Sequence, residues 1–346
     1  MKKCAIVILN WNGENYLNQF LPAVIEYSEN HDIIVIDNAS TDDSVQLIKE
    51  KFSTVRIVQN DQNGGFAKGY NDGLDEIKGE YKYYLLLNSD IEVTPNWTAP
   101  LLKKIASDET IFSVQPKVLA YHNKNLFEHA GASGGFIDAN YYPFCRGRIF
   151  DFLEEDQAQY DNEKEVFWTT GACMIVDAQR FHSFGGFDED FFAHMEEIDL
   201  CWRAKLTGMK VMVSPTSTVY HVGGGTLNYQ SPRKTYLNFR NNLFMIHKNH
   251  KGILFFKICK RLHLDGIAGF KYFISFKFNH LFAITKAHLS YYASLPKLHK
   301  KRKQIKKSIA NPNLTGIYQG SIIFAYFIKR IKKFSALNKR LFNNDY

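Results

Sequence analysis

The chain has 346 residues, of which 45% are hydrophobic and 23% charged, and its formal net charge is +8. This composition is typical of a globular protein and excludes a disordered or fibrous one, while the length favours one large domain with an appendage. Residues 248–346 hold 21 of the 43 Lys and Arg residues but only two of the 35 Asp and Glu residues. We therefore predict an acidic body over residues 1–247 and a basic, aromatic-rich region over residues 248–346 that needs an anionic partner.

Short apolar runs alternate with amphipathic stretches through the first half of the chain. Runs rich in Ile, Val and Leu predict strands at residues 5–9, 33–36, 55–58 and 83–87, and helical periodicity predicts helices at 16–29, 43–51, 66–77 and 96–105. Strands that are apolar on both faces and alternate with helices indicate a parallel sheet in an α/β fold. Residues 110–165 are predicted to be rich in loops, and short strands are expected at 210–213 and 219–220.

Cysteine usage and the N-terminus bear on the cellular compartment. The five cysteines are scattered and form no C-x-x-C pair. This pattern argues against a disulfide framework or a structural zinc site and favours a reducing compartment. The apolar run at residues 4–9 is too short for the core of a secretory signal, so we expect a cytosolic protein.

Polar residues follow each of the four predicted strands, at 10–12, 37–42, 60–65 and 88–90. In a parallel sheet, ligands bind at the carboxyl ends of the strands. Four polar loops at the same edge therefore predict a binding pocket.

Two of these loops place a carboxylate at a strand end. Asp90, in Asn88-Ser89-Asp90, is suited to a divalent cation, although this tripeptide also suits an ordinary turn. Asp37 ends its strand, where it could accept the imide N–H of a pyrimidine base, and the following Ser40 or Thr41 suits a helix N-cap.

A third loop, Asn63-Gly64-Gly65, opens a helix. Glycines there let the backbone approach a ligand, and a helix N-terminus favours anionic groups. The loop matches neither G-x-G-x-x-G nor the P-loop pattern, which excludes those nucleotide-binding motifs.

The second half of the chain offers a candidate base and a candidate ligand. Glu196, Glu197 and Asp199 lie at the start of a predicted helix, where acids either stabilise the helix dipole or supply a general base beside a pocket. His221 follows a predicted strand and precedes Gly223, Gly224 and Gly225; it is either structural or part of a mobile loop that closes over a ligand.

Taken in order, these motifs resemble glycosyltransferase family 2, and within it the bacterial rhamnosyltransferase-like branch that builds surface polysaccharides. The resemblance covers about residues 3–247 and rests on the segments 7–12, 35–42, 63–66, 87–90, 170–172, 196–200 and 221–224. It implies a GT-A fold, a nucleotide-sugar donor, a divalent cation (Mg²⁺ or Mn²⁺) and inversion at the anomeric carbon. Residues 1–247 would then be the catalytic domain.

The resemblance also implies roles for fourteen residues. Asp37 would hold the pyrimidine base, Asp90 would bind the metal with His221 as a further metal or pyrophosphate contact, and Glu197 would be the base, with Glu196 as its substitute. Asn88 stands at the first position of the family's D-x-D motif, and Glu197 stands where the family usually has Asp. The nucleotide-sugar would contact these further residues: Asn10, Asn12, Asn63, Gly64, Gly65, Asn88, Ser89, Gly171 and Ala172.

The branch resemblance suggests dTDP-rhamnose as donor and a lipid-linked or growing surface polysaccharide as acceptor, with UDP-hexoses and UDP-N-acetylhexosamines as alternatives. A catalytically silent protein that binds nucleotide-sugars or glycans is the alternative of a different class. For residues 248–346 we expect amphipathic helices on the inner face of the cell membrane. A solvated helical extension is the alternative, and nucleic-acid binding is not expected because no recognition motif accompanies the charge.

Overall fold

Alternating strands and helices form the first half of the protein. The computed structural model describes residues 2–28, 30–128, 131–223 and 231–343. The first elements are β1 (Lys2–Asn10), α1 (Glu14–Glu26), β2 (Asp32–Asp37), α2 (Ser44–Lys51), β3 (Arg56–Gln59), α3 (Gly65–Asp75), β4 (Tyr81–Asn88), β5 (Ile91–Val93) and α4 (Thr98–Ala106). All eight elements predicted over residues 5–105 are therefore present. Helix α1 ends before the predicted limit, residue 29, which itself lies outside the described residues.

The second half adds shorter strands and a helical end. Its elements are β6 (Ile111–Ala120), β7 (Gly135–Asp138), β8 (Pro143–Cys145), β9 (Arg148–Ile149), β10 (Phe152–Leu153), β11 (Lys164–Glu165), β12 (Cys173–Asp177), α5 (Ala178–Ser183), α6 (Glu196–Leu206), β13 (Lys210–His221), α7 (Pro232–Asn249), α8 (Leu254–Ile274), α9 (Phe278–Ala293), α10 (Leu295–Ser308) and β14 (Ile317–Tyr318). Single helical turns occur at Glu189–Phe191, Phe324–Ile328, Phe334–Ala336 and Lys339–Leu341.

The central sheet has the strand order β11-β13-β6-β12-β4-β1-β2-β3, with β5 paired to β13. Strands β3, β2, β1 and β4 run parallel, whereas β12 is antiparallel to both of its neighbours. Helices cover both faces, as the apolar character of the strands predicts. The expected α/β fold with a mostly parallel central sheet is confirmed, and the parallel part carries the polar loops at its carboxyl edge.

The prediction that residues 110–165 are rich in loops is wrong at β6, which lies in the middle of the sheet. Its sequence looks polar because buried side chains in it have partners elsewhere. Ser113 hydrogen bonds with Thr169 (2.9 Å), and Lys117 pairs with Asp156 and Asp161 (2.6 Å each). Polar residues that are satisfied in the core interrupt the apolar pattern from which a strand is predicted. Likewise, the two short strands expected at 210–220 form one bulged strand, β13.

A second sheet, in the order β10-β9-β8-β7-β14, packs beside the first. Its edge strand β14 comes from the C-terminal region and pairs in parallel with β7. The C-terminal helical region is confirmed, and it also contributes a strand. Helix α7 runs without a break through residues 247 and 248, where we predicted the boundary between the two regions; that boundary remains a prediction.

Candidate active site

A cavity of about 780 Å³ opens at the carboxyl ends of β1 and β4 and is closed on its other side by the start of α6. It lies where the sheet's polar loops meet, as the sequence predicted. Eleven of the fourteen predicted site residues line it: Asn12, Asn63, Gly65, Asn88, Ser89, Asp90, Gly171, Ala172, Glu196, Glu197 and His221. The structure thus brings together residues that are up to about two hundred positions apart in the chain.

The other three predicted residues, Asn10, Asp37 and Gly64, do not line this cavity. The side chain of Asp37 is buried and accepts hydrogen bonds from Asn10 Nδ2 (3.1 Å) and from the backbone N–H of Ser40 (3.0 Å). Asn10 Nδ2 also donates to Ser40 Oγ (3.2 Å). In this structure both residues fasten the loops after β1 and β2 to each other, behind the cavity wall.

Asp90 and His221 form an ion pair at the cavity wall. His221 Nε2 lies 3.2 Å from Asp90 Oδ1, and its Nδ1 lies 3.1 Å from Glu128 Oε2. Burial alone would lower the pKa of His221, but the two carboxylates outweigh it and raise the pKa to about 10. Burial conversely raises the pKa of Asp90, yet His221 lowers it below its ordinary value. Glu128 therefore orients the ring of His221 and, with Asp90, stabilises its positive charge. The glycines at 224 and 225, predicted to form a mobile loop, lie outside the described residues.

This wall suits a hard cation that is shared with a phosphate-bearing ligand. In the described parts of the chain no group of three His, Cys, Asp or Glu side chains forms a complete metal site. Mg²⁺ and its relatives are commonly held by one or two carboxylates plus substrate phosphates, so Asp90 with the neighbouring oxygens of Asn88 and Ser89 is a fitting donor set.

Glu196 and Glu197 begin α6 at the opposite wall. The Oε2 atom of each side chain is buried without a hydrogen-bond partner among the described residues. Burial raises the pKa of Glu197 to about 7, and burial together with the charge of Glu197 raises the pKa of Glu196 well above its ordinary value. An efficient general base at neutral pH needs a pKa near 7. Glu197 meets this requirement, whereas the pKa of Glu196 lies well above its ordinary value.

A strained turn presents the two glutamates. Phe192, His194 and Met195 have φ angles of 64°, 70° and 76°, a region that non-glycine residues rarely adopt. The backbone N–H of Phe66 donates to the carbonyl oxygen of Phe192 (2.7 Å). This close approach requires glycine at position 65, since a Cβ there would lie 2.6 Å from the Phe192 ring.

Helix α7 holds this turn from its other side. Nδ2 of the fully buried Asn241 donates to the carbonyl oxygens of Phe191 (3.0 Å), Ala193 (2.8 Å) and His194 (2.7 Å). Arg240 Nη2 donates to the carbonyls of Asp190 (2.8 Å) and Phe191 (2.9 Å). Strained backbone persists where its surroundings over-determine it, and here two neighbouring side chains do so.

Part of the basic C-terminal region neutralises the acidic segment before this turn. Lys248 and Lys301 both pair with Asp188, and Lys297 and Lys301 both pair with Asp190. These lysines therefore have an anionic partner within the chain, which our reading of the charge asymmetry did not foresee.

Several cavity residues were missed from the sequence: Tyr16, Phe192, His194, Arg233 and Lys234. His194 Nε2 is buried without a partner among the described residues, and burial lowers the pKa of this histidine to about 4, so its neutral ring faces the cavity. For Phe192 and His194, the sequence signal was the unusual run Phe191-Phe192 before the two glutamates. Arg233 and Lys234 gave no comparable signal, because the fold alone brings the start of α7 to the cavity.

Comparison with known proteins agrees with this geometry. The sequence model described as Glycosyl transferase family 2 matches residues 5–174, a segment that contains Asp90 but ends before Glu196 and Glu197. The chain is 23% identical over 245 residues to the low-salt glycan biosynthesis hexosyltransferase Agl10 of Haloferax volcanii, covering 68% of this chain and 73% of that protein. It is 22% identical to the N-acetylglucosaminyl-diphospho-decaprenol L-rhamnosyltransferase of Mycobacterium tuberculosis, covering 62% of this chain and 75% of that protein. It is 24% identical to the rhamnosyltransferase WbbL of Escherichia coli, covering 62% of this chain and 82% of that protein.

Two solved structures share the fold. GalNAc-T7 with UDP, GalNAc and Mn²⁺ superimposes with a TM-score of 0.54 at 16% identity, covering 72% of this chain and 48% of that chain. The mannosyltransferase PcManGT from Pyrobaculum calidifontis, in complex with GDP-Man and Mn²⁺, gives a TM-score of 0.50 at 13% identity, covering 85% and 75%. At this identity the likeness shows the fold alone, and the fold is of the GT-A type.

Proposed function

Residues 5–174 match the model of glycosyl transferase family 2, and from this premise we propose that the chain belongs to this family and moves a sugar from a nucleoside-diphosphate donor to a hydroxyl of a glycan or lipid-linked glycan, with inversion and with a divalent cation. The observation that supports this most directly is the cavity itself. It places a carboxylate with a pKa of about 7 opposite the Asp90–His221 wall, with no covalent nucleophile required between them. A single displacement needs a general base for the acceptor hydroxyl and a site that stabilises the leaving diphosphate.

In the proposed reaction Glu197 accepts the proton of the acceptor hydroxyl as its oxygen attacks the anomeric carbon. A bond forms between that oxygen and the anomeric carbon, and the bond from the carbon to the diphosphate oxygen breaks. Base help of this kind contributes about 10²–10⁴-fold to the rate. A cation at Asp90 would stabilise negative charge on the leaving diphosphate. His221, Arg233 and Lys234 supply positive charge on the same cavity.

The donor we favour is dTDP-rhamnose, because two of the curated relatives are rhamnosyltransferases. UDP-hexoses and UDP-N-acetylhexosamines are the alternatives, since a base pocket for thymine also takes uracil. The presence of Mn²⁺ in both structural neighbours supports a divalent cation, either Mg²⁺ or Mn²⁺.

We place the protein at the inner face of the cell membrane, and α8 and α9 support this. Among the described helices, none combines the length and apolar character that crossing a bilayer demands. Large apolar side chains nonetheless face solvent on these two helices: Phe255, Phe256, Ile267, Phe270, Phe273, Ile274, Phe278, Phe282 and Leu289. The acidic residue of α8, Asp265, is buried, and its Oδ1 lies 2.7 Å from Arg261 Nε. Exposed aromatic and basic residues with no competing surface acid fit the interface of an anionic membrane.

The proposal is tested with thermal shift and transfer assays on the full chain. Wild-type protein should be stabilised by one of dTDP-rhamnose, UDP-glucose or UDP-N-acetylglucosamine in the presence of Mn²⁺, by about 2.7 kcal/mol at one hundred times the dissociation constant. Glu197→Gln should keep that shift and lose transfer by about 10²–10⁴-fold. Glu196→Gln is the matched control, because it makes the same change in the neighbouring acid on the same cavity.

The outcomes separate the alternatives. Loss of transfer in Glu196→Gln with retention in Glu197→Gln would reassign the base. Donor binding without transfer in wild type, across acceptors, would favour a catalytically silent binding protein. Absence of a shift with every sugar nucleotide would contradict the donor site.

A further inference from the structure

A second cavity, of about 710 Å³, lies between α7 and α9 and shares Phe192 and Arg233 with the candidate active site. We name it the α7–α9 groove. Ten residues line it: Phe192, Pro232, Arg233, Tyr236, Leu237, Arg240, Asn279, Phe282, Ala283 and Lys286. Three of them are cationic, three are aromatic, and no carboxylate is among the lining residues that the structure describes. The groove therefore combines positive charge with an apolar surface.

Two of the three cations are available to a ligand. Arg240 uses its guanidinium on backbone carbonyls of the strained turn. Lys286 is exposed, with its ammonium 5.3 Å from the centroid of the Tyr236 ring, and Arg233 stacks on Phe192 at 5.1 Å. In the described part of the chain neither of these two side chains forms an ion pair. Stacking on aromatic rings leaves their N–H groups free for an anion.

The hydroxyl of Tyr236 reports the positive field in the groove. Burial alone would raise the pKa of this phenol. Hydrogen bonds with Ser290 and Arg240, together with the charges of Arg240 and Lys286, outweigh burial and lower it. Of these contributions, the charges of Arg240 and Lys286 would act in the same way on an anionic ligand in the groove.

The groove connects two surfaces to which we have given roles. Phe192 and Arg233 line both the groove and the cavity with Glu197. Phe282 also lines the groove, is 67% exposed and belongs to the apolar surface of α8 and α9. A ligand in the groove would thus lie next to the cavity of the proposed base and next to the proposed membrane surface.

We propose that the α7–α9 groove binds the diphosphate and the first lipid units of a lipid-linked sugar acceptor. This inference rests on the proposed function and deepens it. Arg233 and Lys286 contact the phosphate oxygens, Phe192, Tyr236 and Phe282 contact the hydrocarbon chain, and the acceptor sugar reaches Glu197. Phosphate next to hydrocarbon is the chemistry that cations interleaved with aromatic rings recognise.

The test uses farnesyl diphosphate as the probe, with full-length protein and a saturating nucleoside diphosphate that occupies the donor cavity. Lys286→Gln is the decisive variant, because Lys286 lines the groove and not the donor cavity. Loss of one charged contact should raise the Kd for farnesyl diphosphate about tenfold. Lys300→Gln, on the exposed face of α10, is the control with the same loss of charge and should leave the Kd unchanged.

Further arms identify the ligand chemistry. Farnesol and inorganic pyrophosphate should each bind more weakly than farnesyl diphosphate, because each lacks one half of the ligand. Equal Kd values for Lys286→Gln and Lys300→Gln would overturn the proposal, as would pyrophosphate binding as tightly as farnesyl diphosphate. A Lys286→Gln variant that loses binding to phosphatidylglycerol vesicles but not to farnesyl diphosphate would assign the groove to bulk lipid and overturn it too. Donor binding is measured separately, so failure here is distinct from failure of the proposed function.

Discussion

The hydrogen bonds from Asn241 to the strained turn lead to our most specific prediction. Asn241→Ala removes an amide that donates hydrogen bonds of 2.7–3.0 Å to the carbonyl oxygens of Phe191, Ala193 and His194. A buried polar group that loses its partner costs about 1–3 kcal/mol, so the free energy of unfolding should fall by about 1–3 kcal/mol.

The larger effect should be on catalysis. Each residue held at an unfavourable backbone conformation stores about 1–3 kcal/mol, so the three strained residues together store about 3–9 kcal/mol. Without Asn241 the turn relaxes, because Arg240 and the backbone N–H of Phe66 hold only its first half. Glu197 is two residues beyond the strained segment, and a displacement of about 1 Å lowers the rate by about 10²-fold.

The assay compares kcat, donor Kd and chemical unfolding in Asn241→Ala and in Asn242→Ala. Asn242 is the matched control: it is equally buried on the same helix, and its amide donates to the carbonyl oxygen of Tyr141 (2.8 Å), away from the turn. We expect both variants to lose stability, both to keep the donor Kd, and Asn241→Ala alone to lose kcat by about 10²-fold. Equal kcat values in the two variants would refute the reasoning.

Three further predictions concern the site and the membrane surface. The transfer rate of wild type should rise with pH through about 7, as Glu197 loses its proton. The folded state binds that proton more tightly than the unfolded state does. The free energy of unfolding of wild type should therefore fall relative to that of Glu197→Gln as pH rises from about 4.5 to about 7. Asp90→Ala should abolish the effect of Mn²⁺ on donor binding in a thermal shift assay, and an unchanged Mn²⁺ effect would exclude Asp90 as a ligand. Phe270→Ser with Phe273→Ser should reduce co-sedimentation with phosphatidylglycerol vesicles at unchanged kcat on a soluble acceptor, whereas unaltered co-sedimentation would contradict the assignment of α8 and α9.

The sequence predicted the first half of the fold well because its strands are apolar on both faces. Strand β6 was missed for the opposite reason: Ser113 and Lys117 are buried with partners that come from distant segments. Local periodicity carries no information about such partners.

The candidate site was predicted where loops follow strands, since the sheet dictates their meeting point. The sequence did not predict that Arg233 lines the site, because this residue reaches the cavity from a helix far along the chain. Asp37 shows what the sequence does not reveal about a predicted residue. Its Oδ1 accepts a hydrogen bond from Asn10 at the end of β1, and its Oδ2 accepts one from the backbone N–H of Ser40 in the loop after β2. Its contact with the base remains a prediction. The segment 224–226 of the predicted glycine-rich loop lies outside the described residues.

The ion pairs of Asp188 and Asp190 with Lys297 and Lys301 have a consequence for how the enzyme is made. These contacts join residues that are more than one hundred positions apart, and the lysines belong to the last sixth of the chain. During synthesis a chain folds as it emerges, with its N-terminal part first. The loops at residues 10–12, 37–42, 60–65 and 88–90, which we propose bind the nucleotide, are therefore synthesised early. The segment that leads into Glu197 gains all of its ion pairs only after Lys297 and Lys301 have been synthesised, about one hundred residues later. We expect a nascent chain to bind its donor before it is able to transfer the sugar.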